Sequence, residues 1–61
     1  MTEEEIAEEI IKTKKIIRMY EEMLIKGDSG YPKANIKENI HYYTGRKHAF
    51  EYILRKSYGV V

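Results

Sequence analysis

Mostly apolar residues recur along this chain at alternating steps of four and three, in two separate runs. In the first run, "TEEEIAEEIIKTKKIIRMYEEMLIKG", the positions are Ile6, Ile10, Thr13, Ile17, Tyr20 and Leu24. In the second they are Ile36, Ile40, Tyr43, Lys47, Phe50 and Leu54. This spacing returns side chains to one face of an α-helix, which turns once every ~3.6 residues, and to no single face of a strand. Each run predicts a helix with one continuous stripe, the kind that packs against another helix as in a coiled coil.

Both ends of the first helix are marked. Thr2 followed by Glu5 has the form of a capping box, and Glu3, Glu4, Glu5, Glu8 and Glu9 put negative charge at the positive end of the helix dipole. Gly27 supplies a left-handed stop after Lys26. Glu8 with Lys12 and Glu22 with Lys26 are pairs four apart that favour the helix. Helix 1 is therefore expected over about residues 3–26. The connection "GDSGYP", residues 27–32, is rich in turn formers and suits a reversal between antiparallel helices. Helix 2 is expected over about 33–58, ending before Gly59. Pro32 could be its first helical residue, or Asn35, three before Glu38, could cap it. The expected fold is all-α, a two-helix antiparallel hairpin in one domain spanning residues 1–61.

Length then changes the picture. At 61 residues a single core barely offsets the entropy of ordering the chain, and with no cysteine neither a disulfide nor a thiolate-bound zinc can supplement it. The apolar arc of helix 1 is also too wide for one neighbour. Side chains left wet forgo about 1.5 to 3 kcal/mol each. A homodimer forming a four-helix bundle is the expected remedy. The side chains expected in its core or dimer interface are Ile10, Ile16, Ile17, Met19, Tyr20, Met23, Leu24, Ile40, Tyr43, Phe50, Ile53 and Leu54.

Net charge is +1, but residues 1–30 carry eight acids and five bases, net −3, and residues 31–61 two and six, net +4. Stacking of an acidic helix on a basic one uses this asymmetry internally; a basic outward face would use it on a partner. No apolar run is long enough for a signal peptide or a membrane span. A cysteine-free chain with 34% charged residues fits a cytoplasmic setting.

Candidate chemistry gathers on helix 2, where "HYYTGRKHAFEYIL" places a glycine in mid-helix. His41, Gly45, His48, Tyr52 and Arg55 fall together on the side away from the apolar stripe and are the candidate partner-binding residues. A mid-helix glycine costs about 1 kcal/mol relative to alanine. Three explanations of Gly45 stand: it is tolerated, it lets another helix approach closely, or with Thr44 it marks a kink. Glu38-x-x-His41 has the form used in di-metal helical bundles, but those sites need inward projection and further glutamates, and His41 and His48 are two turns apart. No metal or other cofactor is expected. No nucleophile sits in an elbow or dyad and no phosphate loop is present, so "GDSG" between two helices does not read as an enzyme motif. Arg46, Lys47, His48, Arg55 and Lys56 around Tyr52 could neutralise phosphates, yet the overall charge gives little for a nucleic acid to hold. Six tyrosines in so short a chain, with Met19 and Met23, point instead to protein interfaces.

The segment Tyr42 to Leu54 resembles a pattern near the C-terminus of many small phage and prophage proteins. Its elements here are Tyr42, Gly45, Arg46 with Lys47, Ala49, and Tyr52 through Leu54. The whole plan, a short helical hairpin that dimerises, is similar to phage anti-defence proteins such as the inhibitor of the Hachiman system. That resemblance implies a phage-encoded, non-enzymatic protein that acts in the host cytoplasm by occupying a host bacterial protein. The second expectation is a small regulator contacting nucleic acid through helix 2, and the third a purely structural assembly module.

Overall fold

The computed structural model describes residues 2–27 and 30–59. Two helices make up nearly all of it: α1, Glu3–Lys26, and α2, Lys33–Tyr58. They pack on each other as a hairpin measuring 41 × 17 × 15 Å. A helix of 26 residues is about 39 Å long at 1.5 Å per residue, so the long dimension is that of one unbroken helix.

The start of α1 is held by the expected capping box. The Glu5 backbone N–H donates to Thr2 Oγ1 at 3.2 Å, and the Thr2 backbone N–H donates to Glu5 Oε1 at 2.9 Å. Two N–H groups that the helix itself cannot pair are thereby satisfied. The bond from the Thr2 backbone N–H, and after it one from the Thr2 side chain, hold the Glu5 carboxyl below its ordinary range. A depressed carboxylate stabilises the fold above its unfolded pKa and loses that contribution as the pH falls through its folded value. Thr2→Ala, which removes the acceptor for the Glu5 N–H, is expected to cost about 1 kcal/mol. Glu5→Ala should instead show a deficit that shrinks on acidification through the carboxylate range, as measured by thermal melts followed by circular dichroism; a deficit that stays constant into acid would contradict the box. At the other end Gly27, at φ +73°, donates its N–H to the Met23 carbonyl at 2.9 Å.

α2 begins at Lys33, within the expected bounds, but neither Pro32 as a first helical residue nor Asn35 as a cap describes its entry. Pro32 is the cap rather than the first helical residue: its φ of −58° suits a helix, but its ψ of 140° keeps it extended. Its carbonyl accepts from the N–H groups of Asn35 at 3.0 Å and Ile36 at 3.2 Å. Asn35 therefore lies inside the first turn and cannot cap it, since a capping residue must be non-helical. Gly59, at φ +69°, closes α2 through its N–H to the Leu54 carbonyl.

Both four-three stripes face each other. Ile6, Ile10 and Thr13 of α1 and Ile36 of α2 are buried, and Ile17, Tyr20, Leu24, Ile40, Tyr43, Lys47, Phe50 and Leu54 are half-buried. The hydroxyl of buried Thr13 donates to the Glu9 carbonyl one turn earlier at 2.6 Å, so no partner on α2 is required. Tyr20 and Tyr43 stack across the hairpin, ring centroids 6.1 Å apart, and Tyr42 meets Tyr43 edge-on at 5.0 Å. The ion pairs among the described residues are not the expected ones. Lys12 reaches Glu9 at 3.8 Å rather than Glu8, Glu22 and Lys26 do not pair, and Arg46 reaches across to Glu9 at 3.7 Å. One glutamate thus serves a neighbour on its own helix and one on the other, using the opposite charge of the two helices.

Candidate binding surface

A hairpin has two broad faces, and antiparallel helices present flanks of the same sense to the same face. The Glu9–Arg46 pair identifies one of them. Toward the turn that face carries a hollow of about 190 Å³ lined by Met19, Tyr20, Met23, Tyr31, Ile36 and Asn39. The opposite flanks must then share the other face. On α1 these hold Ile11, Lys14, Lys15 and Arg18, which together line a shallow hollow of about 220 Å³. On α2 they hold Lys37, His41, Thr44, His48 and Arg55, at steps of four, three, four and seven. All but Thr44 are exposed.

This second face is cationic around an exposed isoleucine. Its middle holds the cations close together along two helices, with Glu3, Glu21 and Glu51 toward its groove and Glu4 and Glu22 at either end of the Ile11–Arg18 flank. Such a surface can hold carboxylates at its rim while the Ile11 side chain covers an apolar patch. The spacing Ile11, Lys14, Lys15, Arg18 was the available signal for the α1 half. Reading each helix separately hides it, because the face exists only once both flanks are placed side by side.

The five candidate partner-binding residues, His41, Gly45, His48, Tyr52 and Arg55, are all exposed on α2. They follow one another at steps of four, three, four and three along one outward stripe. By helical rotation His41, His48 and Arg55 turn toward the cationic face, while Gly45 and Tyr52 point directly away from α1. The Tyr52 ring has the Arg55 guanidinium at 5.8 Å and the Lys56 ammonium at 5.9 Å from its centroid. Arg46 sits 5.4 Å from the Phe50 centroid on the other flank.

Of the expected core and interface positions, Ile10 is buried, and Ile16, Ile17, Tyr20, Met23, Leu24, Ile40, Tyr43, Phe50 and Leu54 are half-buried. Met19 and Ile53 are exposed in the single chain. Gly45 does not break α2, which runs through it as a continuous α-helix with no positive φ there. A Cβ at that position would meet nothing within 4 Å. Packing inside the hairpin therefore gives no reason for the glycine.

Among the described residues no three His, Cys, Asp or Glu side chains are grouped to hold a metal ion. No helix among them is long and apolar enough to cross a membrane. Asp28 and Ser29, the centre of "GDSG", lie outside the described residues. Comparison of the chain with protein-family models, curated proteins and solved structures gives no match.

Proposed function

We propose that the protein is a non-enzymatic binding module that works as a homodimer and acts by occupying the surface of a larger host protein. The observation that carries this reading is how little of the molecule is inside. Among the described residues Ile6, Ile10 and Ile36 are the buried aliphatic side chains, whereas Ile11, Met19, Ile25, Tyr31, Tyr42, Tyr52, Ile53 and Tyr58 are exposed. Its radius of gyration is 13.6 Å, against about 10.5 Å for a compact chain of this length. Its accessible surface is 4836 Å², against about 4,200 Å² for a compact 7.3 kDa monomer. Large apolar side chains on so much surface are the raw material of interfaces.

The cationic face around Ile11 suits an apolar patch rimmed by acids on a folded target. Resemblance to small phage proteins makes a bacterial anti-phage defence protein the first target to test, in the host cytoplasm. The same cations also serve the second reading, contact with nucleic acid. What favours protein is the apolar centre of the face and the mixture of signs around it, since nucleic-acid binders present a continuous basic footprint.

The test is expression of the tagged protein in bacteria carrying defence systems. The expected result is restored phage growth in one of these strains. The corresponding defence protein should co-purify at fixed stoichiometry, and Lys14→Glu with Arg18→Glu should weaken that complex by about tenfold or more at unchanged helicity. Recovery instead of nucleic acid that is released by nuclease and by raised salt would favour the regulator, and unaltered binding by the double variant would remove the cationic face from the account.

A further inference from the structure

We propose that two copies of the chain pair through the outward seam of α2, antiparallel about a two-fold axis level with Lys47. This inference rests on the homodimer reading and assigns it a surface and a register, with the four helices in a row rather than in the expected four-helix bundle. Glu38, Tyr42, Gly45, Ala49, Tyr52 and Lys56 follow one another at steps of four, three, four, three and four. That is a second coiled-coil spacing, on the side of α2 opposite the stripe that meets α1. Every member of it is exposed. The two tyrosines leave 61% and 53% of their surface in water, which one partner helix would cover.

The seam is complementary to itself in one direction only. Glu38 and Lys56 lie nine residues on either side of position 47, Tyr42 and Tyr52 five, and Gly45 and Ala49 two. An antiparallel copy centred there sets Glu38 against Lys56 at both ends, tyrosine against tyrosine inside them, and glycine against alanine in the middle. A parallel copy would set Glu38 on Glu38 and Lys56 on Lys56, so charge selects the antiparallel arrangement. Glu38 makes no ion pair among the described residues that would compete.

The same pairing accounts for Gly45. With nothing within 4 Å of its would-be Cβ, the glycine leaves a notch in the outer surface of α2. In the dimer that notch faces Ala49 of the other copy. Two small residues at the crossing let the backbones approach closely enough for the flanking tyrosine rings to overlap. The cationic face is left free on each copy.

The chain has no cysteine, so E38C and K56C can be made singly and joined with a short bis-maleimide. Cross-linking is expected when the two variants are mixed and to be weak for either alone. Glu38→Lys and Lys56→Glu should each raise the dimer dissociation constant in sedimentation equilibrium by about tenfold, with the double swap returning toward the original value. Gly45→Leu should disperse the dimer without loss of helicity, since leucine favours a helix more than glycine does. A dimer that survives Gly45→Leu and links E38C to E38C as readily as to K56C would overturn this surface while leaving self-association standing. An unsubstituted chain that sediments as a monomer at every concentration would overturn both.

Discussion

Ile36→Ala is expected to destabilise the protein by about 3 kcal/mol, the middle of the range for deleting a buried isoleucine side chain to alanine. Ile36 is the buried side chain that α2 contributes among the described residues, with 2% of its surface exposed. It also lines the hollow with Met19, Tyr20, Met23, Tyr31 and Asn39, so truncation enlarges a space that is already under-filled. A chain of this size has roughly 3 to 9 kcal/mol of total stability at 0.05–0.15 kcal/mol per residue. The substitution therefore removes between a third and all of it. Urea unfolding followed by circular dichroism measures the loss. Ile25→Ala supplies the contrast, because that side chain is 84% exposed and should cost no more than about 0.5 kcal/mol. Equal effects at the two positions would mean that α1 and α2 do not meet at Ile36.

Tyr43→Ala is expected to cost about 2 kcal/mol, less than a fully buried aromatic would because Tyr43 is half-buried. Its ring is the hinge of a three-tyrosine group, stacked on Tyr20 of α1 at an interplanar angle of 23° and met edge-on by Tyr42 at 82°. Offset stacking and edge contacts between aromatic rings each add about 0.5–1.5 kcal/mol beyond area burial. A double-mutant cycle of Tyr43→Ala with Tyr20→Ala should give a coupling in that range. Tyr43→Phe keeps the ring and should lie near zero. A cycle with no coupling would show that the two rings are neighbours without being partners.

Much of the hairpin is legible in the amino-acid sequence, because burial repeats with the helical turn. Ile6, Ile10, Thr13, Ile17, Tyr20 and Leu24 announce a face, and so do Ile36, Ile40, Tyr43, Lys47, Phe50 and Leu54. Thr2 with Glu5, and Gly27 and Gly59, mark boundaries because each answers a specific backbone demand: unpaired N–H groups at one end, a left-handed turn at the other. Pro32 is ambiguous because its ring sets φ, while ψ decides on which side of the helix boundary it falls. Lys12 can reach a glutamate three or four residues back, both within range of a flexible side chain, so sequence spacing does not choose between Glu9 and Glu8. Arg46 with Glu9, Tyr43 with Tyr20, and the cationic face are illegible for another reason. Each needs the relative height and rotation of two helices, which no single-helix pattern carries. Gly45 is legible as an anomaly, and nothing in the hairpin's own packing requires it.

Thr13 has one further consequence. Its hydroxyl is satisfied by the Glu9 carbonyl of its own helix, so among the described residues the buried layer contains no polar bond that crosses from α1 to α2. Apolar side chains spaced by heptads fit almost equally well when one helix slides by two turns. The interior therefore sets which faces meet but leaves their alignment nearly degenerate. Alignment falls to the rim, where Arg46 holds Glu9 and Tyr43 lies on Tyr20, and to the short tether from Gly27 to Pro32. The hairpin behaves as a zipper whose teeth are interchangeable and whose slider is stopped by the clasp at its end.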